Sequence, residues 1–169
     1  MAASQHRLLS PLAGGAATTA LLCLAAPISF DVGPVPITLQ SLIVCLAGAL
    51  AGAAGVAGVL AWLGLAALGL PVLAGMNGGY LAMGGYSAGF LIALPLAARL
   101  AMRWQPAWSW RQALLLMLAA HALLLVLGGA VIALRGGDVT ALAVLLPGAG
   151  VKSVLASMVL RLLGQRAQP

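Results

Sequence analysis

Long apolar runs alternate with short breaks that contain proline, glycine or charged residues. A membrane-spanning helix needs about 20 consecutive apolar residues. The pattern therefore predicts an all-α membrane protein, with a single polytopic domain over residues 1–169. The breaks divide the chain into about six transmembrane helices, near residues 8–30, 37–52, 55–70, 80–102, 112–134 and 149–164.

Prolines and glycines set most of these boundaries. Residues 31–36 (DVGPVP) end the first run, because proline lacks an amide donor and restricts the residue before it. Residues 52–55 (GAAG) divide a run that is too long for one helix, and Pro71 closes the third helix. Residues 147–150 (PGAG) are interpreted as a further break, with a short segment before it and the sixth helix after it.

The composition agrees with this class. The chain is 63% hydrophobic and 6% charged, whereas soluble domains carry roughly 25% charged residues. The net charge of +6 comes from cations at the ends of apolar runs, and nucleic-acid binding would instead need one basic face. With both termini cytoplasmic, six of the seven arginines fall on the cytoplasmic side, as the positive-inside rule expects.

The sequence lacks the motifs of metal, nucleotide or catalytic chemistry. It contains no Cys/His array, no paired carboxylates and no nucleophile with a neighbouring base. Residues 148–153 (GAGVKS) lack the glycines that a phosphate-binding loop requires. We therefore expect no cofactor, no metal and no enzyme activity, and any ATP-driven step must come from another chain.

Lys152 is the most informative single residue. It lies within an apolar helix, where a cation needs an anion or a wet cavity. A contact to a polar or carboxylate-bearing substrate is one interpretation. A structural pair with Asp138 or Asp31, or extension of the amine to the interface, is the alternative.

Neutral polar residues collect near the same predicted outer side. Thr38 and Gln40 open the second helix, and Asn77 lies in a glycine-rich loop. Their donors and acceptors suit an uncharged amide or urea group, with helix capping as the alternative. Tyr86 flanks the next glycine-rich segment and could stack on a ligand ring.

Two residues inside helices have a structural and a functional interpretation. Trp62 lies in the middle of the third helix, where core packing is favoured over stacking on a ligand. His121 lies inside the fifth helix, where a hydrogen-bonded packing role is favoured over proton relay.

Four motifs resemble those of the BioY family of biotin transporters and occur in the family's order. They are residues 33–40 (GPVPITLQ), 69–75 (GLPVLAG), 84–90 (GGYSAGF) and 146–148 (LPG) followed by Lys152. The resemblance covers nearly the whole chain, and the first motif is the most specific. It implies a substrate-binding (S) component of an energy-coupling factor (ECF) transporter in a bacterial cytoplasmic (inner) membrane. A biotin pocket near the outer face, a transmembrane (T) subunit and two ABC-type ATPase subunits follow from the same resemblance.

If the resemblance holds, the candidate biotin contacts are Lys152, Thr38, Gln40, Asn77 and Tyr86. Ala16 and Ala20 look like the family's small-residue contact for the T subunit, and Ala13 and Ala17 would fit almost as well. The chain departs from the family pattern at Ala149, where an Asp is usual, and in a shortened 75–84 segment. An S-component for another small vitamin or heterocycle, or a structural or regulatory membrane subunit without a ligand, are the alternative functions.

Overall fold

The computed structural model describes residues 11–30 and 36–166, and most of this part of the chain is helical. Its α-helices are α1 Pro11–Ala25, α2 Gln40–Ala51, α3 Ala53–Ala67, α4 Gly79–Met83, α5 Ala88–Ala101, α6 Trp110–Leu134 and α7 Leu142–Arg166. Six of these described helices have 12 or more residues, and α4 has five. The all-α expectation is therefore confirmed.

The first helix is shorter than predicted. α1 ends at Ala25, just before Pro27, which cannot donate a helical hydrogen bond. Residues 29–30 instead form a short strand, β1 (Ser29–Phe30), which pairs antiparallel with β2 (Ile37–Thr38). The part of the prediction over residues 8–10 lies outside the described residues. The second predicted helix likewise begins later, at Gln40, because residues 37–38 belong to the strand pair.

A single residue separates α2 from α3. Gly52 has a φ of 61°, in the left-handed region that glycine adopts without steric cost. The turn between these helices is therefore tighter than the four residues of the predicted break. α3 then ends at Ala67, before Gly69 and Pro71.

The predicted fourth helix, 80–102, is wrong as one unit. It is divided into α4 and α5 by the turn at residues 84–87, where two successive glycines have poor helix propensity. Pro95 lies inside α5 without ending it. α6 begins at Trp110, two residues before the prediction, because Ser109 and Gln112 form a capping box.

The predicted break at residues 147–150 is also wrong. α7 runs without interruption from Leu142 to Arg166 and contains Pro147. A proline near the start of a helix removes one backbone hydrogen bond, and apolar helical bundles tolerate that loss. The short 3-10 helix Val139–Ala141 precedes α7, and Asp138 caps it by accepting from the Thr140 amide at 2.8 Å.

Two helices among the described residues are long and apolar enough to cross a membrane by themselves, Trp110–Leu134 and Leu142–Gln165. Four shorter apolar helices accompany them, α1, α2, α3 and α5. Many large apolar side chains are exposed on the outside of the bundle, including Leu12 at 88% and Leu134 at 86%. Such a surface is typical of a protein surrounded by lipid.

Glycines let the helices pack with their backbones close together. A Cβ at Gly48 of α2 would collide with the Ala98 carbonyl of α5, and one at Gly58 of α3 would collide with the Gly15 carbonyl of α1. Thr19 of α1 adds a hydrogen bond of 3.0 Å to the Gly58 carbonyl. These contacts make two narrow seams in the bundle.

The connecting segments form two ends of the molecule. Segments 26–30, 36–39, 68–78, 84–87 and 135–141 meet at one end, which we call the cavity end. The opposite end contains the start of α1, the turn at Gly52, the 102–109 loop and the end of α7. This arrangement brings the separate sequence motifs together at the cavity end.

Candidate functional site

A cavity of about 530 Å³ lies inside the cavity end. Ligand pockets for small molecules have volumes of about 300–1,000 Å³ and are mostly apolar, with a few polar groups. The apolar lining includes Ile37, Leu73, Phe90, Leu91, Leu94, Leu124, Leu125 and Leu145. The polar lining includes Thr38, Gln40, Ser41, Asn77, Ser87, His121 and Lys152.

Helical periodicity explains how α5, α6 and α7 contribute to this lining. On α7, Leu145, Gly148, Ala149 and Lys152 follow the i, i+3, i+4, i+7 spacing of one helix face. The lining residues of α5 and of α6 follow the same rule. Because α7 is continuous through Pro147, Lys152 stays in register with the residues nearer the mouth of the cavity.

Lys152 brings a positive charge into the cavity wall. Its Nζ donates a hydrogen bond of 3.4 Å to Ser41 Oγ on α2. Asp138 is the one acidic residue in the described part of the chain. Its carboxylate does not pair with Lys152 but accepts hydrogen bonds from the Thr140 amide and hydroxyl. Asp31, the other structural partner considered for Lys152, lies outside the described residues. The ammonium group has three donors, so its remaining donors are suited to oxygens of a ligand.

Three of the predicted neutral residues join Lys152. Gln40 is buried at the start of α2, and the Thr38 hydroxyl accepts from its backbone amide at 3.3 Å. Asn77 Nδ2 donates to the Ala74 carbonyl at 2.8 Å. The side-chain oxygen of Asn77 takes no part in that bond, so the cavity lining offers neutral polar atoms beside the ammonium group.

Tyr86 is the exception among the predicted contacts. Its side chain is 43% exposed and is absent from the lining of the cavity. The ring instead lies against the backbone of Gly137, in the segment before α7. Gly85 and Ser87, the residues on either side of Tyr86 in this turn, do line the cavity. The side chain of Tyr86 therefore points away from the cavity.

Trp62 supports the cavity from outside. Its side chain is fully buried, and its Nε1–H donates to the Val72 carbonyl at 2.9 Å. The next residue, Leu73, lines the cavity, and its amide donates to the Asn77 carbonyl. Core packing is therefore the role that the structure gives this tryptophan, as favoured from the sequence.

Two backbone features hold the 73–77 segment over the cavity. Gly75 has a φ of 66°, which permits a tight turn within the short 3-10 helix Ala74–Met76. Its amide also donates to the Pro27 carbonyl at 3.1 Å, which ties this segment to the chain after α1. The cover of the cavity is therefore built from loops that bond to each other.

Sequence reasoning did not assign Ser41 or His121 to the site. Ser41 directly follows Gln40, and the two are on adjacent positions of the first turn of α2. His121 lies on the same face of α6 as Leu124 and Leu125, at i+3 and i+4. α6 is apolar on every side around His121, so the sequence does not show which face of this helix turns toward the cavity.

Comparison with known proteins gives the family. A model of the BioY family matches residues 3–168. The chain belongs to the BioY family. The BioY match therefore includes every segment that lines the cavity.

Curated relatives carry the same family name. A Pyrococcus horikoshii protein named "Probable biotin transporter BioY" is 43% identical over 83 residues, 48% of this chain and 51% of that protein. The "Biotin transporter BioY" of Rhizobium etli is 49% identical over 78 residues, 46% of this chain and 42% of that protein. That of Rhodobacter capsulatus is 53% identical over 75 residues, 43% and 38% of the two chains. The chain spans about half the length, or less, of the curated BioY relatives that it matches.

A solved structure shares the whole BioY fold. It is described as the S-component for biotin from an ECF-type ABC transporter, in a crystal structure at 2.1 Å. The TM-score is 0.84 at 27% identity, and the match covers 99% of this chain and 96% of the other. The bundle of BioY helices described above is therefore the fold of an S-component, a membrane protein.

Proposed function

We propose that this chain captures biotin for uptake across a bacterial cytoplasmic membrane, as the S-component of an ECF transporter. The single observation that carries the proposal is the cavity of about 530 Å³ with Lys152 in its wall, built from the segments that hold the BioY motifs. Biotin combines an apolar body with a ureido ring and one carboxylate. A largely apolar cavity with one cation and several neutral polar groups matches that combination.

The proposed biotin contacts are Lys152, Thr38, Gln40 and Asn77, which line one cavity. Tyr86 leaves this set because its side chain does not line the cavity. The names of the relatives describe transporters, so no catalytic residue is proposed.

A binding titration tests this function. Purified protein in detergent is titrated with biotin, and Lys152→Ala is compared with the wild type. We expect the loss of a charged hydrogen-bond donor to weaken binding about tenfold or more. Arg135→Ala is the matched control, because Arg135 is an exposed cation at the same end and is not in the cavity lining. Equal affinity of the wild type and Lys152→Ala would remove Lys152 from the site.

One observation supports a second candidate ligand. The α7 face that lines the cavity carries the methyl group of Ala149 one turn before Lys152, where the family pattern has an acid. Another small vitamin or heterocycle is the alternative, because a different residue at this position changes the groups that meet the ligand. A panel of vitamins in the same titration separates the two, and a subunit without a ligand would gain no thermal stability from any of them.

The charges at the two ends support one orientation in the membrane. Arg99, Arg103, Arg111 and Arg161 belong to the opposite end, whereas Arg135 belongs to the cavity end. Arginines collect on the cytoplasmic side of membrane proteins. We therefore place the cavity at the outer face and both termini in the cytoplasm, with six helices crossing the membrane.

Partners would bind the outer surface of α1. Ala16 and Ala20 are exposed on this helix, whereas Gly14, Thr18 and Leu22 are buried. Exposed small residues allow another helix to approach closely in lipid. The proposed T subunit, which would connect to two ABC-type ATPases, fits this face.

Co-purification tests the partner surface. We expect Ala16→Trp to reduce recovery of the T subunit several-fold, because the large ring prevents close approach. Biotin binding should be retained, since Ala16 does not line the cavity. Leu155→Trp on the exposed face of α7 is the control. Unchanged recovery with Ala16→Trp would place the partner on another surface.

A further inference from the structure

His121 lines the cavity, and one of its ring nitrogens lacks a partner in the described part of the chain. Nε2 of His121 is buried, and it neither accepts a hydrogen bond from the described residues nor donates one to them. The imidazole as a whole is 3% exposed, and it lines the cavity together with Leu124 of the same helix. An unsatisfied buried polar atom is costly and calls for an explanation.

The other ring nitrogen fixes which form of the ring is present. Nδ1 lies 3.0 Å from the Met117 carbonyl oxygen and 3.0 Å from Ser153 Oγ. The Ser153 hydroxyl donates to the Ala149 carbonyl at 2.8 Å, so its oxygen is free to accept. A carbonyl can only accept, and therefore Nδ1 carries the proton. In the neutral ring, Nε2 is then a lone-pair acceptor.

An acceptor at this place has a consequence for the ligand. Ser153 directly follows Lys152 in α7, so the imidazole lies beside the part of the wall that carries the ammonium group. Lys152 offers only donors, which suit ligand oxygens, whereas Nε2 needs a donor from the ligand. A ligand oxygen at Nε2 would bring two lone pairs together.

We propose that His121 Nε2 accepts a hydrogen bond from an N–H group of the ligand. This inference rests on the proposed function, and for biotin the donor is one of the two ureido N–H groups. His121 is then a specificity-determining residue. It favours ligands that place an N–H group, and not an oxygen acceptor, beside α6 and α7. Ser153 and the Met117 carbonyl are positioning groups, because they hold the proton on Nδ1.

Two measurements test the inference. Biotin is titrated into the wild type, His121→Gln, which keeps a side-chain acceptor, and His121→Leu, which has none. We expect His121→Leu to bind biotin about tenfold more weakly and His121→Gln to stay within about threefold of the wild type. Ser157→Ala is the control, since Ser157 is a buried hydroxyl of α7 outside the cavity lining.

The second measurement does not depend on a variant that folds. Nitrogen-15 NMR of the wild-type imidazole should give an unprotonated Nε2 without biotin and a shift of that signal when biotin is bound. A protonated Nε2, an unmoved signal at saturating biotin, or equal biotin affinity of the wild type and His121→Leu would overturn the inference alone. If the wild type binds no biotin at all, the proposed function falls, and this inference falls with it.

Discussion

Trp62 illustrates how a residue outside the cavity can determine its shape. The indole is fully buried in α3, and it donates to the carbonyl of Val72, one residue before Leu73 enters the cavity lining. The bond connects a helix of the bundle to the segment that covers the site. An aromatic ring without an N–H group could fill the same space, but it would leave the Val72 carbonyl without this hydrogen-bond donor.

We expect Trp62→Phe to lower the free energy of unfolding by about 1–3 kcal/mol, because it leaves the Val72 carbonyl without its donor. It should also weaken biotin binding, since the 73–77 segment loses an anchor. Thermal unfolding and a biotin titration measure both effects. Trp110→Phe, at a half-exposed indole at the start of α6, is the control. An unchanged unfolding temperature for Trp62→Phe would contradict this role.

Four polar residues that line the cavity could be identified from the sequence, but their arrangement could not. Lys152 could be identified because an ammonium group inside an apolar run is expensive anywhere else. Thr38, Gln40 and Asn77 could be identified from their places beside prolines and glycines. The inward direction of His121 depends on how α6 packs against α7, and the contact with Ser153 joins residues 32 positions apart. No local pattern contains that information.

At the scale of helices, the two glycine seams determine how tightly the bundle packs. α3 offers a direct comparison between two glycines of the same helix. A Cβ at Gly58 would collide with the Gly15 carbonyl and the Thr18 side chain, whereas a Cβ at Gly64 would meet no atom within 4 Å. The two positions differ in their surroundings rather than in helix propensity.

We therefore expect Gly58→Ala to destabilise the protein by about 1–3 kcal/mol through overpacking. Gly64→Ala should be neutral or stabilise it by up to about 1 kcal/mol, because alanine is the better helix former. Unfolding in mild detergent, followed by helical circular dichroism, measures both. Equal stability of the two variants would mean that the α1–α3 seam relaxes without cost.

Helix boundaries differed from prediction where one proline or glycine was given too much or too little weight. Pro147 was expected to break the last helix, yet it removes only one hydrogen bond near the start of α7. Gly84 and Gly85 were placed inside a helix, yet they form the turn between α4 and α5. Local propensity is a weak prior, and the surrounding packing decides each case.

For the whole molecule, the number of long helices could be predicted, because lipid requires long apolar segments. The direction of these helices in the membrane stays a prediction, which rests on the preference of arginines for one side. The cavity could not be predicted in the same way, since it requires five segments to meet at one end. Its volume and its depth depend on that assembly.

Site-directed labelling tests the orientation of the whole molecule. In a background with Cys23→Ala and Cys45→Ala, single cysteines are introduced by Asp138→Cys at the cavity end and Ala107→Cys at the opposite end, both at exposed positions. We expect a membrane-impermeant maleimide to label the first in intact cells and the second only after permeabilisation. The reverse pattern would invert the proposed topology.

The close approach of α2 and α5 at Gly48 restricts the route by which a solute reaches Lys152. Moving α2 and α5 apart sideways would break the close packing of their backbones at Gly48 and Ala98, and no long side chains bridge the gap that would open there. Lifting the 73–77 segment would break the bond from the Gly75 amide to the Pro27 carbonyl and would pull on the neighbouring bond between Trp62 and the Val72 carbonyl. We therefore expect the vitamin to arrive from water along the bundle axis, and not to diffuse in from the acyl chains.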